Sequence, residues 1–159
     1  MGRLMMEEMR RKDREITDRK VIDGIIAKAD VLHLAMAYKN VPYVVPLSFG
    51  YDGKSIYFHS VGKGLKLDFI KKNPNVCFEF VGYVKYKKAM TSCDAGTKFL
   101  SVIGRGRCRI LANAAEKKKG LDILLRQYTK SKVKYSAASL LATTIVKISI
   151  TGLKGKKRW

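Results

Sequence analysis

A proline stands in the middle of a run of β-forming residues, Tyr43-Val44-Val45-Pro46-Leu47-Ser48-Phe49. Proline has no amide hydrogen, so this strand cannot be hydrogen-bonded on both sides along its whole length and belongs at a sheet edge or a kink. Asp52-Gly53 then supplies a two-residue hairpin turn, and the chain returns through Ser55-Ile56-Tyr57-Phe58 to His59-Ser60. Next comes Gly62-Lys63-Gly64-Leu65-Lys66, which opens a helix predicted over residues 65–72. At such a junction, unpaired amide hydrogens and the positive end of the helix dipole add to the charges of Lys63 and Lys66. That suits a phosphate, and beside an edge strand with free backbone groups it suits a phosphate carrying an aromatic ring. A surface loop of solvated lysines is the competing reading of the same spacing. The chain carries no Walker-type loop and no dinucleotide fingerprint.

The remaining pattern is mostly extended. A helix is predicted over residues 18–28, capped by Asp18, with Val21, Ile22, Ile25, Ile26 and Ala29 on one face. Residues 31–38 alternate as a strand with His33 opposite Leu32 and Leu34, and Lys39-Asn40 supplies the turn. Asn73-Pro74 halts the helix, and a strand is predicted over residues 75–83. Residues 85–97 read as a long irregular loop, followed by a strand over residues 99–111 whose Gly104 and Gly106 permit a bulge or a close backbone approach. Asn113 caps a helix over residues 114–128, with Leu121, Leu124 and Leu125 inward, and residues 143–151 form the last strand. The sum is a mainly β chain with flanking helices, an antiparallel barrel of about six strands.

With 159 residues and 47% hydrophobic content, residues 1–159 are expected to form a single domain. No run of roughly 20 apolar residues is present and the N-terminal segment is charged, so a soluble, cytoplasmic protein without a membrane partner is expected. Cys77, Cys93 and Cys108 are odd in number and unpaired in spacing, which points away from a disulfide framework or a zinc site. No metal site is expected. The formal charge of +20 attracts polyanions, yet the basic residues are scattered and form no recognition helix. The charge is read as a solvated surface favouring phosphorylated or carboxylated ligands, and specific nucleic-acid binding is not expected. The basic end, residues 154–159, is read as a candidate disordered tail.

These segments taken in order, Arg10-Arg11-Lys12-Asp13-Arg14-Glu15-Ile16, Pro42 through Tyr51, Ile56 through Ser60 with Lys66-Leu67-Asp68, Asn73 through Glu79 and Lys98 through Gly106, resemble a known family. They are similar to the FMN-binding split β-barrel proteins of the pyridoxamine 5'-phosphate oxidase-like superfamily, particularly its nitroimidazole-resistance or nitroimidazole-reductase (Nim) branch. The resemblance implies a six-stranded antiparallel split β-barrel, a homodimer with cofactor sites at the interface, and FMN as cofactor. Val45, Pro46, Leu47 and Ser48 would line the flavin ring. His59 and Ser60 would lie on the ribityl-phosphate side, Lys63 and Lys66 would bind phosphate, and Ser101 and Val102 would approach the cofactor from the second subunit. His59 is the one catalytic candidate.

The activity implied is that of an FMN-dependent oxidoreductase, in which NADH or NADPH gives hydride to the flavin and a nitroaromatic receives the electrons. Pyridoxamine-phosphate oxidation itself is not expected, because residues 152–159 lack that enzyme's C-terminal arginine motif. Two other classes stay open. One is a non-catalytic flavin- or haem-binding protein, with His59 or His33 as an axial ligand. The other is a basic nucleic-acid-associated protein that uses the barrel only as a scaffold.

Overall fold

The computed structural model describes residues 6–87, 96–131 and 133–158. Its strands are β1 (Glu15–Ile16), β2 (Leu32–Tyr38), β3 (Val41–Leu47), β4 (Gly50–Tyr51), β5 (Ser55–Ser60), β6 (Asn75–Lys87), β7 (Gly96–Ile110) and β8 (Thr144–Arg158). Its helices are α1 (Arg19–Lys28), α2 (Leu65–Lys72), α3 (Ala114–Tyr128) and α4 (Ala137–Ala142). The strands form one antiparallel sheet in the order β3-β2-β6-β7-β8-β5-β4, with β1 added on β8. The two edges, β3 and β4, are separated in the chain by residues 48–49 alone, a span that reaches about 10 Å at full extension. The sheet must therefore curl until its edges nearly meet, which makes a barrel split between β3 and β4. The expected six strands are the six long ones, and β1 and β4 contribute two-residue ladders.

The local devices are those the residue types favour. Lys39 and Asn40 both take positive φ, 49° and 62°, as a two-residue hairpin between β2 and β3 requires. Asp18 caps α1 by accepting from the Lys20 amide at 2.8 Å, and Asn113 caps α3 by accepting from Ala115 and Glu116. Leu32, Leu34, Phe49, Ile56, Phe58, Phe78 and Phe80 fill the barrel, each all but removed from water, and such burial contributes about 1.5–3 kcal/mol per large side chain. A Cβ on Gly104 would lie 2.3 Å from the Phe78 ring and one on Gly106 2.5 Å from Ile148, with a register shift between Arg105 and Gly106. The backbone approach expected there is present.

Several expectations change. The strand expected over residues 43–49 ends at Leu47, because Phe49 turns into the core and gives its amide to the Tyr128 hydroxyl at 2.9 Å. Only Gly50 and Tyr51 then pair with β5. Of the expected loop 85–97, residues 85–87 and 96–97 are strand, paired through Lys87 and Gly96, and the rest lies outside the described residues. Residues 154–158, expected to be a disordered tail, pair with β7, and Gly155 and Lys156 pair also with β1; Gly155 lets Ile16 and Ile22 approach. Backbone pairing there outweighs a basic composition. Val21 is exposed; on α3, Leu124 is buried and Leu121 packs inward as expected, and Lys117, Gly120 and Ile123 complete the buried stripe. That stripe covers Tyr57 and Ile145 in a second apolar cluster, so β8 is buried on both faces at Ile145 and Val146. Among the described residues no helix is long and apolar enough to cross a membrane.

Candidate functional site

Strand β5 ends at Ser60, whose Oγ is buried and has no hydrogen-bond partner among the described residues. Ser60 lies opposite Thr144 of β8, while its neighbour His59, opposite Ile145, is exposed. The chain leaves through exposed residues 61–64, and Gly64, at φ 128°, starts α2. No side chain caps this helix, and its first recorded amide bonds are those of Leu67 and Asp68 to the Gly64 carbonyl. The amide hydrogens ahead of them point out of the helix with its positive end. Lys66, half-buried, stands in that first turn and Lys63 is exposed just before it. An orphaned buried hydroxyl, an uncapped helix start and two lysines thus share one corner.

The same helix ties this corner to the edge strand. Phe69 packs on Tyr43 of β3 with ring centroids 5.5 Å apart, and the Asn73 side chain donates to the Ala37 carbonyl at 2.8 Å. Residue 69 is about 6 Å along the helix axis from residue 65. The start of α2 and β3 are therefore neighbours. Strand alternation divides the four residues expected to line a flavin ring: Val45 and Leu47 turn toward the barrel core, while Pro46 and Ser48 are exposed. They do not form one side-chain wall. What β3 offers is an edge, since among the described residues it pairs only with β2.

Ser101 and Val102 are not brought to this corner within one chain. They lie on β7, three strands from β3, about 14 Å away at ordinary strand spacing. Val102 is fully buried in the barrel core and Ser101 is buried beside it.

The outer face of the sheet carries, beside Pro46 and His33, groups that the sequence did not single out. Pro46, His33, Glu79, Ile103 and Lys154 stand side by side across five strands. The row one pair further on holds Val44, Ala35, Cys77 and Arg105. Val44 is 62% exposed and Ile103 42%. His33 Nδ1 is buried, has no hydrogen-bond partner among the described residues and lies 3.9 Å from Glu79 Oε2. The alternation of each strand was legible; that these positions form a single row needed the register. Of the thiols described, Cys77 is exposed and Cys108 is buried, where burial pushes its pKa up to about 12.

The profile of the family described as pyridoxamine 5'-phosphate oxidase matches residues 18–157, and the chain belongs to that family. A solved structure from Bacteroides thetaiotaomicron, that of a proposed 5-nitroimidazole antibiotic resistance protein, is 30% identical and superposes with a TM-score of 0.81 over 90% of this chain and 86% of that one. The Azotobacter vinelandii flavocytochrome shares the fold at 19% identity and a TM-score of 0.83, over 96% and 72% of the two chains. So does the FAD and haem binding protein of Mycobacterium smegmatis, at 17% identity and a TM-score of 0.81, over 91% and 73%. By sequence, an uncharacterized protein of Rhizobium meliloti is 26% identical over 73 residues, 46% of this chain; the match spans about half, 48%, of that curated relative's length.

Proposed function

We propose that this chain is an FMN-binding oxidoreductase that reduces nitroaromatic compounds with a nicotinamide donor, acting as a homodimer. The observation that carries the reading is the corner formed by the orphaned Ser60 hydroxyl and the uncapped start of α2 with Lys63 and Lys66. Family membership and the 30% identical relative named for 5-nitroimidazole resistance support it. The residues present fit FMN: Ser60 lacks the acceptor that a phosphate or ribityl oxygen would supply, and the lysines and helix amides would hold a dianion. Free backbone groups of β3 would hydrogen-bond the ring edge.

Bound FMN supplies the means to take a hydride from NADH or NADPH and return two electrons to an acceptor. The protein's part is placement and charge. Lys63 and Lys66 anchor the phosphate, Pro46 and Ser48 shape the exposed side of β3, and His59 stands at the mouth as the proton donor. Per two-electron turnover, one nicotinamide hydride and one solvent proton are consumed, one nitro oxygen leaves as water and a nitroso compound is formed. Val44 and Ile103, exposed on the outer sheet face, would be the surface on which a second copy packs and brings its β7 toward the site.

Titration with FMN against riboflavin tests the reading, because riboflavin lacks only the phosphate. Tighter binding of FMN, with nicotinamide-driven loss of a 5-nitroimidazole's absorbance, is the expected result. No flavin binding in either titration would sink it. A second reading, haem binding, draws on the unpartnered Nδ1 of His33 and the exposed His59; a Soret band on haem addition that both His→Ala variants abolish would favour it.

A further inference from the structure

Helix α3 has a second face, turned away from the barrel. Its inner face is pressed so closely on β4 that a Cβ on Gly50 would lie 2.5 Å from the Leu124 backbone. Its outer stripe, Lys118, Asp122, Leu125, Arg126 and Thr129, follows the helical repeat and forms one wall of a groove of about 760 Å³. The other wall is the chain folding back, with Lys130, Ser131, Val133 and Lys134. The return is anchored at Tyr135, whose hydroxyl donates to Asp122 Oδ1 at 2.6 Å, while Lys118 Nζ donates to Asp122 Oδ2 at 3.0 Å.

That anchoring consumes both oxygens of the one carboxylate in the groove, so it neutralises little else. Arg126 gives its Nε to the Asp122 carbonyl of its own helix, and its terminal nitrogens have no hydrogen-bond partner among the described residues. Lys130 and Lys134 are exposed and have no acidic side chain within ion-pair distance among the described residues. Leu125 and Val133 supply an apolar patch between these cations. The volume falls within the range of small-molecule sites, about 300–1,000 Å³. Cations of this kind hold phosphates as point charges and a bidentate fork, and the patch accepts a flat apolar group.

We propose that this groove is a second anion site, distinct from the α2 corner, that binds a nucleoside di- or triphosphate, with phosphates on Arg126, Lys130 and Lys134 and the base over Leu125 and Val133. It does not depend on the flavin reading.

The test is calorimetric titration of the full chain with ADP, at about 0.15 M salt, with and without saturating FMN. Saturable ADP binding is expected, unchanged by FMN, and weakened at least tenfold in the Arg126→Glu/Lys130→Glu double variant. An Arg126→Gln/Lys130→Gln variant, free of introduced repulsion, should still lose at least threefold. Lys20→Glu/Lys28→Glu, which makes the same charge change on α1, should lose less than twofold. An equal loss in that control would show diffuse attraction to a basic protein and overturn the site. Absence of ADP binding would overturn it, as would loss of ADP binding on adding FMN, since ADP would then occupy the α2 corner. Binding of a single-stranded oligonucleotide without binding of ADP would also overturn it, in favour of a nucleic-acid surface.

Discussion

Ser60 keeps a buried hydroxyl without a partner, an arrangement that costs on the order of 1–3 kcal/mol unless a ligand or water completes it. Ser60→Ala should therefore raise the melting temperature of the flavin-free protein by about 2–4 °C, equivalent to about 1 kcal/mol at this size, while weakening FMN binding. Scanning calorimetry on both forms reads both signs; a loss of stability in the flavin-free variant would mean that the hydroxyl is already satisfied. Lys66, half-buried in the first turn of α2, should matter more than exposed His59 for affinity. A charge-assisted contact contributes about 1.5–3 kcal/mol, so Lys66→Ala should weaken FMN at least tenfold and His59→Ala less. Equal FMN affinity in wild type and Lys66→Ala would remove the phosphate assignment. His59→Ala should instead lower turnover at saturating donor, if the imidazole delivers the proton.

At the scale of elements, the α3–β4 packing is the tightest backbone approach described. Gly50→Ala would force a methyl group against the backbone of Ile123 and Leu124, and a helix backbone cannot shift as a side chain does. A loss of about 3 kcal/mol or more is expected by urea denaturation, in the range of severe overpacking. The β4–β5 turn adds a pH dependence. Burial alone would raise the Asp52 carboxyl, but the amides of Lys54 and Ser55, the Tyr57 hydroxyl and the Lys147 charge together hold it below the usual 3.8. A group depressed on folding contributes stability above its unfolded value and loses it as pH falls through the folded one. Asp52→Asn should thus flatten the fall in urea midpoint below pH about 4. An unchanged acid profile would place that sensitivity elsewhere.

At the scale of the molecule, the proposed dimer would cover the row from Pro46 to Lys154. Val44 and Ile103 are apolar and exposed on that face, and a stable pair needs about 1,600 Å² of buried surface. Sedimentation should find the wild type dimeric and Ile103→Glu monomeric, because the glutamate would be desolvated at the centre of the contact. If a second copy completes the cofactor site, the monomeric variant also loses FMN affinity. A monomeric wild type that still binds FMN would confine the site to one chain.

The elements themselves were legible residue by residue. Asp18 and Asn113 announced helix starts that the structure shares, Asn73-Pro74 ended α2 at Lys72, and Lys39-Asn40 made the turn. These are local choices, governed by capping, amide supply and φ preference, and they need no partner from elsewhere in the chain. The Gly-Lys-Gly loop entering α2 is likewise one contiguous segment, so its place between β5 and α2 follows from chain order alone. What the residues alone left open was whatever depends on the register between distant strands. The ordering of residues 154–158 rests on β1 and β7, more than forty residues away in sequence. The division of Val45 and Leu47 from Pro46 and Ser48, the His33–Glu79 pair and the burial of Val102 follow from which face closes on the core. The outer groove of α3 arises only when Tyr135 folds back onto Asp122. Propensity and capping decide which segments are helix or strand; burial and pairing between segments decide which of their side chains remain available for chemistry.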